Sequence, residues 1–371
     1  MRRLARVLVG AVVGLAVLGC AVYLSDPWFW KRIATFPGTA ALTDAAWYQP
    51  SEAVPGAAAV EFTVTAANQR SIDAAALDAA LSYATQTQSL ALLVWHGGAL
   101  QLEQYWDGQD VNSTTDSGAL HTTLLALLYG AAIEDGVIHS LDEPVATYLP
   151  EWRADAHARI RVRDLLQMSS GLERWQASRN PWNRARRLLF GGHITPLVLG
   201  APVRAEPGTQ FEFNNADAEL LGIALQRAAG KRYARYLSER LWSRLGTRSA
   251  AVWLDSAGGM ARTFCCLQAS ARDWLKVGLL ILNQGRVGAE QVVPAAWIAE
   301  MLRPSTANPH FGLETWLGDA RFLAPDVAIL EGGGQRVYIV PSQQLVIVRV
   351  GARRADWDEA RLPNAILRGV S

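Results

Sequence analysis

Ser89-Leu90-Ala91-Leu92-Leu93-Val94-Trp95-His96-Gly97-Gly98-Ala99-Leu100-Gln101-Leu102-Glu103-Gln104-Tyr105-Trp106 is the most legible stretch of the chain. An apolar run reaches His96, two glycines follow, and a second strand-like run begins at Ala99. That pattern predicts a β-hairpin with a glycine turn, because glycine supplies the left-handed backbone that tight hairpins need. Three more strand-like runs lie near the other end, at residues 327–330, 336–340 and 345–350, the last two joined by Pro341-Ser342-Gln343-Gln344. Between these regions, residues 120–133 form a mostly apolar helical stretch ending near Gly136, and residues 140–250 read as helical with Pro and Gly interruptions. Early strands, a long helical middle and late strands argue an α+β protein whose two ends share one antiparallel sheet.

Composition sets outer limits. The chain has 371 residues, 50% of them hydrophobic and 19% charged, enough to bury a large core and too apolar for wholesale disorder. Thirty-five Lys and Arg against 34 Asp and Glu leave a net charge of +1, so no basic face for nucleic acid is implied. Almost all the positive charge is arginine; the lysines are Lys31, Lys231 and Lys276. The cysteines are Cys20, Cys265 and Cys266, too few for a disulfide framework or a zinc cluster. A bridge between neighbours 265 and 266 requires a strained peptide geometry, so both read as small buried apolar side chains. His193, His310 and Glu331 have no partners at metal spacing and His96 reads as a turn residue, so neither a metal nor a cofactor is expected. Arg179, Arg184, Arg186 and Arg187 read first as a solvated helical face, and second as contacts for an anionic ligand.

The N-terminus reads as an anchor. Arg2, Arg3 and Arg6 precede the uncharged run 7–24, which as a helix would span roughly 27 Å, close to a bilayer's hydrocarbon thickness. Trp28, Phe29 and Trp30 then stand where an interfacial aromatic belt would lie. The leading arginines favour a cytoplasmic N-terminus with the bulk of the chain on the periplasmic or extracytoplasmic side of a bacterial-type inner membrane, although Lys31 and Arg32 weaken the asymmetry. Cleavage near Gly19-Cys20-Ala21 (a secreted protein) and lipidation of Cys20 (a lipoprotein) are the alternatives. The expected organisation is an anchor or signal segment over 1–32, a loosely packed linker over 33–60 and one two-lobed domain over 61–371.

Several further segments run in order along the domain. They are Gly130-Ala-Ala-Ile-Glu-Asp-Gly136, Ser140-Leu-Asp-Glu-Pro-Val145, Tyr148-Leu-Pro150, Leu165-Leu-Gln-Met-Ser-Ser-Gly171, Glu206-Pro-Gly208 and Phe213-Asn-Asn215. After them come Gly258-Gly-Met260, Phe264-Cys-Cys266, Arg272-Asp273 and Gly333-Gly-Gln335. Together they resemble the beta-lactamase-related serine hydrolases, the group of class C beta-lactamases and penicillin-binding-protein-like esterases, and most of all the 6-aminohexanoate-dimer hydrolase type. The resemblance implies a beta-lactamase/transpeptidase-like fold: a five-stranded antiparallel sheet with flanking helices, an all-helical lobe, and a groove between them.

The family's acyl transfer uses a serine at the start of the central helix, with a lysine one helical turn later to take its proton. A tyrosine shares the proton work, a strand strip binds substrate, and backbone N–H groups stabilise the oxyanion. Counting back from Gly130 puts the serine position on Ala119 and the lysine position on Thr122. The tyrosine position is Phe213, with Asn215 retained, and the histidine of the strand strip falls on Gly332, ahead of Gly333 and Gly334. No Ser-x-x-Lys occurs anywhere, since Trp28, Ala228 and Asp273 stand three residues before the lysines, and no Gly-x-Ser-x-Gly elbow occurs either. A nucleophile at Ser117 or Thr122 with His121 as base is the remaining route, but adjacent helical side chains point about 100° apart.

The expectation is therefore a membrane-anchored family member without the Ser-Lys-Tyr residues. Such a pseudoenzyme would bind a peptidoglycan- or amide-like ligand, or a partner in the cell envelope. Ala119, Thr122, Phe213, Asn215, Gly333 and Gly334 are its candidate groove residues. The alternatives are an active amidase or esterase with a rearranged site, and a structural or interaction protein with a closed groove.

Overall fold

The computed structural model describes residues 2–370. Helix α1 (Arg2–Ser25) includes an apolar segment, Leu8–Ser25, that is long enough to cross a bilayer and is not buried by the rest of the protein. Asp26 then caps α2 (Pro27–Thr35), accepting from the Phe29 N–H while Pro27 takes the first helical position. Helix α2 packs into the domain. The buried Arg32 guanidinium donates to the carbonyls of Phe190, Gly191, Leu254 and Asp255 and lies 4.6 Å over the Trp253 ring. Where the sequence reads as a loose linker, residues 33–60 carry two tight turns, Gly38–Leu42 and Ala45–Trp47, and the strand β1 (Ser51–Val54). Ala41, Tyr48 and Val54 of that stretch are buried, so small and aromatic side chains give it a packed underside.

Helix α3 (Ala74–Gln86) leads into the hairpin β2 (Ser89–His96) and β3 (Ala99–Tyr105), then β4 (Thr114–Asp116) and the central helix α4 (Leu120–Glu134). The helical lobe follows as α5 (Val162–Leu166), α6 (Arg184–Phe190), α7 (Ile194–Leu199), α8 (Asn215–Ala229) and α9 (Tyr233–Leu237). The chain returns through β5 (Ala250–Trp253), β6 (Leu267–Ser270), α10 (Ala271–Leu282), a small hairpin of β7 (Arg286–Val287) and β8 (Glu290–Gln291), and α11 (Ala295–Met301). It closes with β9 (Trp316–Leu317), β10 (Ala328–Gly332), β11 (Gln335–Val340), β12 (Leu345–Gly351) and α12 (Arg361–Leu367).

The main sheet is antiparallel in the order β3-β2-β12-β11-β10-β9, so the early hairpin and the late strands do share one sheet. Leu93 stands opposite Val348 and Trp95 opposite Val346 at the seam. Five of the strands were expected; the sixth is the two-residue edge strand Trp316–Leu317, paired with Ala328 and Ile329. A second sheet, β1-β5-β6-β4, carries the chain to the start of α4. Helices α3 and α12 cover one face of the main sheet, where Leu77 and Leu362 join Leu92, Val94 and Ile347 in one apolar cluster. Each such side chain stabilises the fold by about 2 kcal/mol on burial. On the other face α10 lies close, because Gly278 leaves room for the Val337 and Val346 methyl groups. Helix α4 is buried on every side from Leu120 to Ala132, wedged between the two lobes. That position explains an apolar helix with no polar stripe.

Candidate functional site: the cleft at the start of the central helix

Ala119 is the N-cap residue of α4 and makes no side-chain cap bond; the N–H groups of Leu120, His121 and Thr122 instead donate to the carbonyls of Ser117, Gly118 and Ala119. The chain reaches it through Asp116, Ser117 and Gly118. Ser117 is buried and committed: its Oγ donates to the Gly118 carbonyl at 3.0 Å and accepts from the Leu267 N–H at 3.0 Å, tying α4 to β6. Gly118 has φ +51° and touches the Gly332 backbone, and a Cβ on Gly332 would lie 2.1 Å from the Ser117 carbonyl oxygen. The end of β10 therefore presses directly on the start of α4, and no side chain fits at 332.

His121 points away from the cleft. Its Nδ1 lies 2.6 Å from the Cys265 carbonyl and its Nε2 2.9 Å from the Tyr233 hydroxyl. A carbonyl only accepts, so Nδ1 carries the proton and Nε2 accepts from Tyr233. Burial pushes its pKa down to about 4, leaving the ring neutral with both nitrogens occupied. Thr122 is buried beneath the cleft, beside the fully buried Glu314. Burial holds the Glu314 carboxyl far above the usual carboxylate range, and the Thr122 hydroxyl offsets only part of that rise. Neither Glu314 oxygen has a hydrogen bond of good geometry. Asp217, in the first turn of α8, is raised in the same way by burial, although its Oδ1 accepts from Ser170 Oγ at 2.8 Å. Two buried acids whose carboxyls are shifted upward by burial thus lie under the helix.

Phe213 stacks on Trp316 with ring centroids 6.2 Å apart and meets Phe311 edge-on. Asn214 caps α8 through Oδ1, which accepts from the Ala216 N–H, while Asn215 is exposed. The cleft has two limbs. A narrow limb of about 380 Å³ is lined by Asp116, Ala119, Asn215, Cys265, Cys266 and Gly332 to Gly334, and is roofed by the segment from Phe36 to Tyr48. A wider limb of about 800 Å³ runs past Phe213 and Asn215 toward α6. Ala119, Asn215, Gly332, Gly333 and Gly334 are therefore brought together, Phe213 lines the wider limb, and Thr122 lines neither.

Three further features were not read from the sequence. Cys265 and Cys266 are not two separate apolar side chains, because a disulfide joins them in the wall of the narrow limb. Left-handed backbone at Cys266, φ +76°, accommodates the adjacent bridge. Asp116 is pushed up to about 6, chiefly by burial, and the Tyr48 hydroxyl from the roof offsets part of that rise. The arginine stretch is no uniform solvated face. Arg184 pairs with Glu173, Arg187 pairs with Asp26 and lies 4.1 Å over the Phe29 ring, and Arg186 lines the wider limb. A lone Glu in Gly312-Leu-Glu-Thr-Trp316 was the only sequence signal for Glu314, and Tyr48 had none.

The family model for Beta-lactamase matches residues 73–370, from the start of α3 to the end of α12. The chain belongs to the Beta-lactamase family. It is 26% identical over 232 residues to the 6-aminohexanoate-dimer hydrolase of Paenarthrobacter ureafaciens, a match covering 58% of this chain and 58% of that relative's length. Among solved structures, a Bacillus anthracis protein assigned to the 6-aminohexanoate-dimer hydrolases superposes with TM-score 0.72 at 18% identity, covering 88% of each chain. A penicillin-binding protein from Bacillus halodurans superposes with TM-score 0.61 at 13% identity, covering 78% of this chain and 98% of that one. The beta-lactamase-like fold, mixed helix and antiparallel sheet, is thus shared with these two solved structures.

Proposed function

We propose that this chain is a non-catalytic member of the family. In this reading the cleft binds a peptidoglycan- or amide-like ligand, or a partner in the cell envelope, and performs no acyl transfer. The observation that carries it is the methyl group of Ala119 at the N-cap of α4, the position that counting back from Gly130 assigns to the family's serine. A hydroxyl there would be the nucleophile, and in a triad protease loss of the nucleophile alone costs on the order of 10⁶ in rate. Thr122 at the lysine position has no basic nitrogen, and Phe213 at the tyrosine position has no hydroxyl.

A rearranged hydrolytic site is the second reading, and the bonding of Ser117 and His121 counts against it. The third, an interaction protein with a closed groove, draws on the roof from Phe36 to Tyr48 over the narrow limb. Helix α1 serves as an uncleaved anchor holding the domain outside the cytoplasm, which the Cys265–Cys266 disulfide favours because such bonds persist in oxidising compartments.

The test uses the purified full chain. It is expected to resist covalent labelling by a fluorophosphonate probe, to turn over neither nitrocefin nor p-nitrophenyl esters, and to bind radiolabelled penicillin or muropeptides above a scrambled control. Labelling or turnover would overturn the non-catalytic reading. Binding no better than the control would favour the closed groove instead.

A further inference from the structure

The wider limb of the cleft has a one-sided charge. Arg174, Arg186 and Arg353 line it, and no aspartate or glutamate does. Elsewhere in the molecule guanidinium groups are neutralised by neighbours: Arg184 and Arg204 share Glu173, Arg187 takes Asp26 and Arg354 takes Asp356. Among the described residues, none of the three lining arginines has a carboxylate within ion-pair distance. They arrive from separate parts of the chain, Arg174 from the loop after α5, Arg186 from α6 and Arg353 from the loop after β12, so no single helical face groups them.

A second observation is independent of charge. Three donors in these wall residues are buried with no acceptor, Trp175 Nε1, Arg186 Nε and Asn214 Nδ2. Asn214 is 4% exposed, and its Oδ1 is committed to the Ala216 N–H, which fixes the amide so that Nδ2 is the unused end. Unused buried donors beside uncompensated guanidiniums call for an acceptor carrying negative charge. The remaining wall includes the rings of Trp175, Phe190 and Phe213, which suit a ligand with an apolar portion.

We infer that the wider limb is an anion site for a small ligand bearing two or more negative charges, as carboxylate or phosphate groups, held by Arg174, Arg186, Arg353 and Asn214. The inference rests on reading the cleft as a ligand site and adds the charge of what it takes. Because Arg187, next to Arg186, pairs with Asp26 immediately after α1, the anion can come from solution or from a lipid headgroup at the membrane surface. The shared chemistry is the same.

The experiment titrates the full chain, purified in neutral detergent, with citrate and with sn-glycerol 3-phosphate by calorimetry. In parallel, the chain is placed in nanodiscs of phosphatidylglycerol or phosphatidylcholine and its thermal stability is compared. Saturable one-to-one binding of either soluble probe assigns a soluble ligand, and stabilisation by phosphatidylglycerol alone assigns a headgroup. In either case Arg186→Gln is expected to weaken binding by about tenfold, the loss of one charge-assisted contact. Arg174→Gln, Arg186→Gln and Arg353→Gln combined are expected to abolish it. Arg368→Gln, which carries the same charge change outside the limb, is expected to leave it unaltered. No binding of any probe, or binding that survives the triple variant, overturns the inference. If penicillin or muropeptides still bind in that case, only the charge assignment falls; if they do not, the reading of the cleft as a ligand site falls as well.

Discussion

The two limbs of the cleft share Phe36, Leu189, Phe190, Asn215, Phe264 and Arg353 yet differ in charge and in what lies over them. Around Ala119 the wall combines glycine and small side chains with the rings of Trp47, Tyr48 and Trp253, its one acid is Asp116, and the chain's own segment from Phe36 to Tyr48 lies over it. Around Arg186 the wall is guanidinium, amide and aromatic ring, with no acid. A close-packed limb rewards shape, and an uncompensated positive limb rewards charge. A binding role can draw on both without any proton moving.

The sharpest way to break that contrast is to build acyl-transfer chemistry around the start of α4. Ala119→Ser, Thr122→Lys and Phe213→Tyr together are expected to raise p-nitrophenyl ester hydrolysis at least about a hundredfold over the natural chain, a small part of what a complete nucleophile and base supply. No gain would mean that the start of α4 has lost the geometry as well as the groups.

Close packing is tested next. Gly332→His forces a side chain against the Ser117 carbonyl and the Leu120 N–H, and is expected to cost about 3 kcal/mol in urea unfolding. A variant as stable as the natural chain would show that β10 swings away and that the limb opens.

The buried acid gives a pH signature. Folded Asp116 titrates near 6 against an ordinary value of 3.8, so the folded state keeps the proton longer and stability falls as pH rises through that window. Asp116→Asn removes the slope. The variant's advantage in unfolding free energy should grow from near zero at pH 4 to about 2 kcal/mol above pH 6, after allowing for partial solvent access. His121 acts in the opposite sense, since its folded value is lowered to about 4 and stability is lost as pH falls from 6.5. Measuring both chains at each pH cancels its contribution.

The smallest expected effect is that of the roof. Tyr48→Phe removes the hydroxyl that favours the Asp116 carboxylate, so the Asp116 titration should move upward, with a loss near pH 8 of about 1 kcal/mol. An unchanged titration would detach the roof from the limb it covers.

The hairpin, the late strands and the central helix were legible because their signals are local. Alternation and a glycine turn mark β2 and β3, and an unbroken apolar stretch marks α4. The edge strand Trp316–Leu317 carries no such signal, since two residues have no period and they pair only because β10 is already in place. Residues 33–60 looked loose because Ala, Pro and Gly have weak propensities; their order comes from β5, which pairs with β1, and from the buried Tyr48. Arg32 read as a flanking charge until the carbonyls of α6 and β5's end were seen around it. At the site, Ala119, Phe213 and Gly332 were countable from Gly130 and the other motifs, whereas Glu314 and Asp217 were not, because residues nearly a hundred positions apart meet only across the packed lobes.

What the sequence by itself determined is the covalent inventory: an apolar N-terminal segment, the α+β order of elements, arginine in place of lysine, and no Ser-x-x-Lys anywhere in the chain. Those are properties of single residues and short periods, readable without neighbours. The tertiary structure alone decided how the inventory is used. It closed the Cys265–Cys266 bond into the cleft wall, buried two acids beneath α4, and left three arginines facing one space with no acid among them. The physical reason is that burial and charge compensation depend on what folds alongside a group, and distance along the chain says little about that.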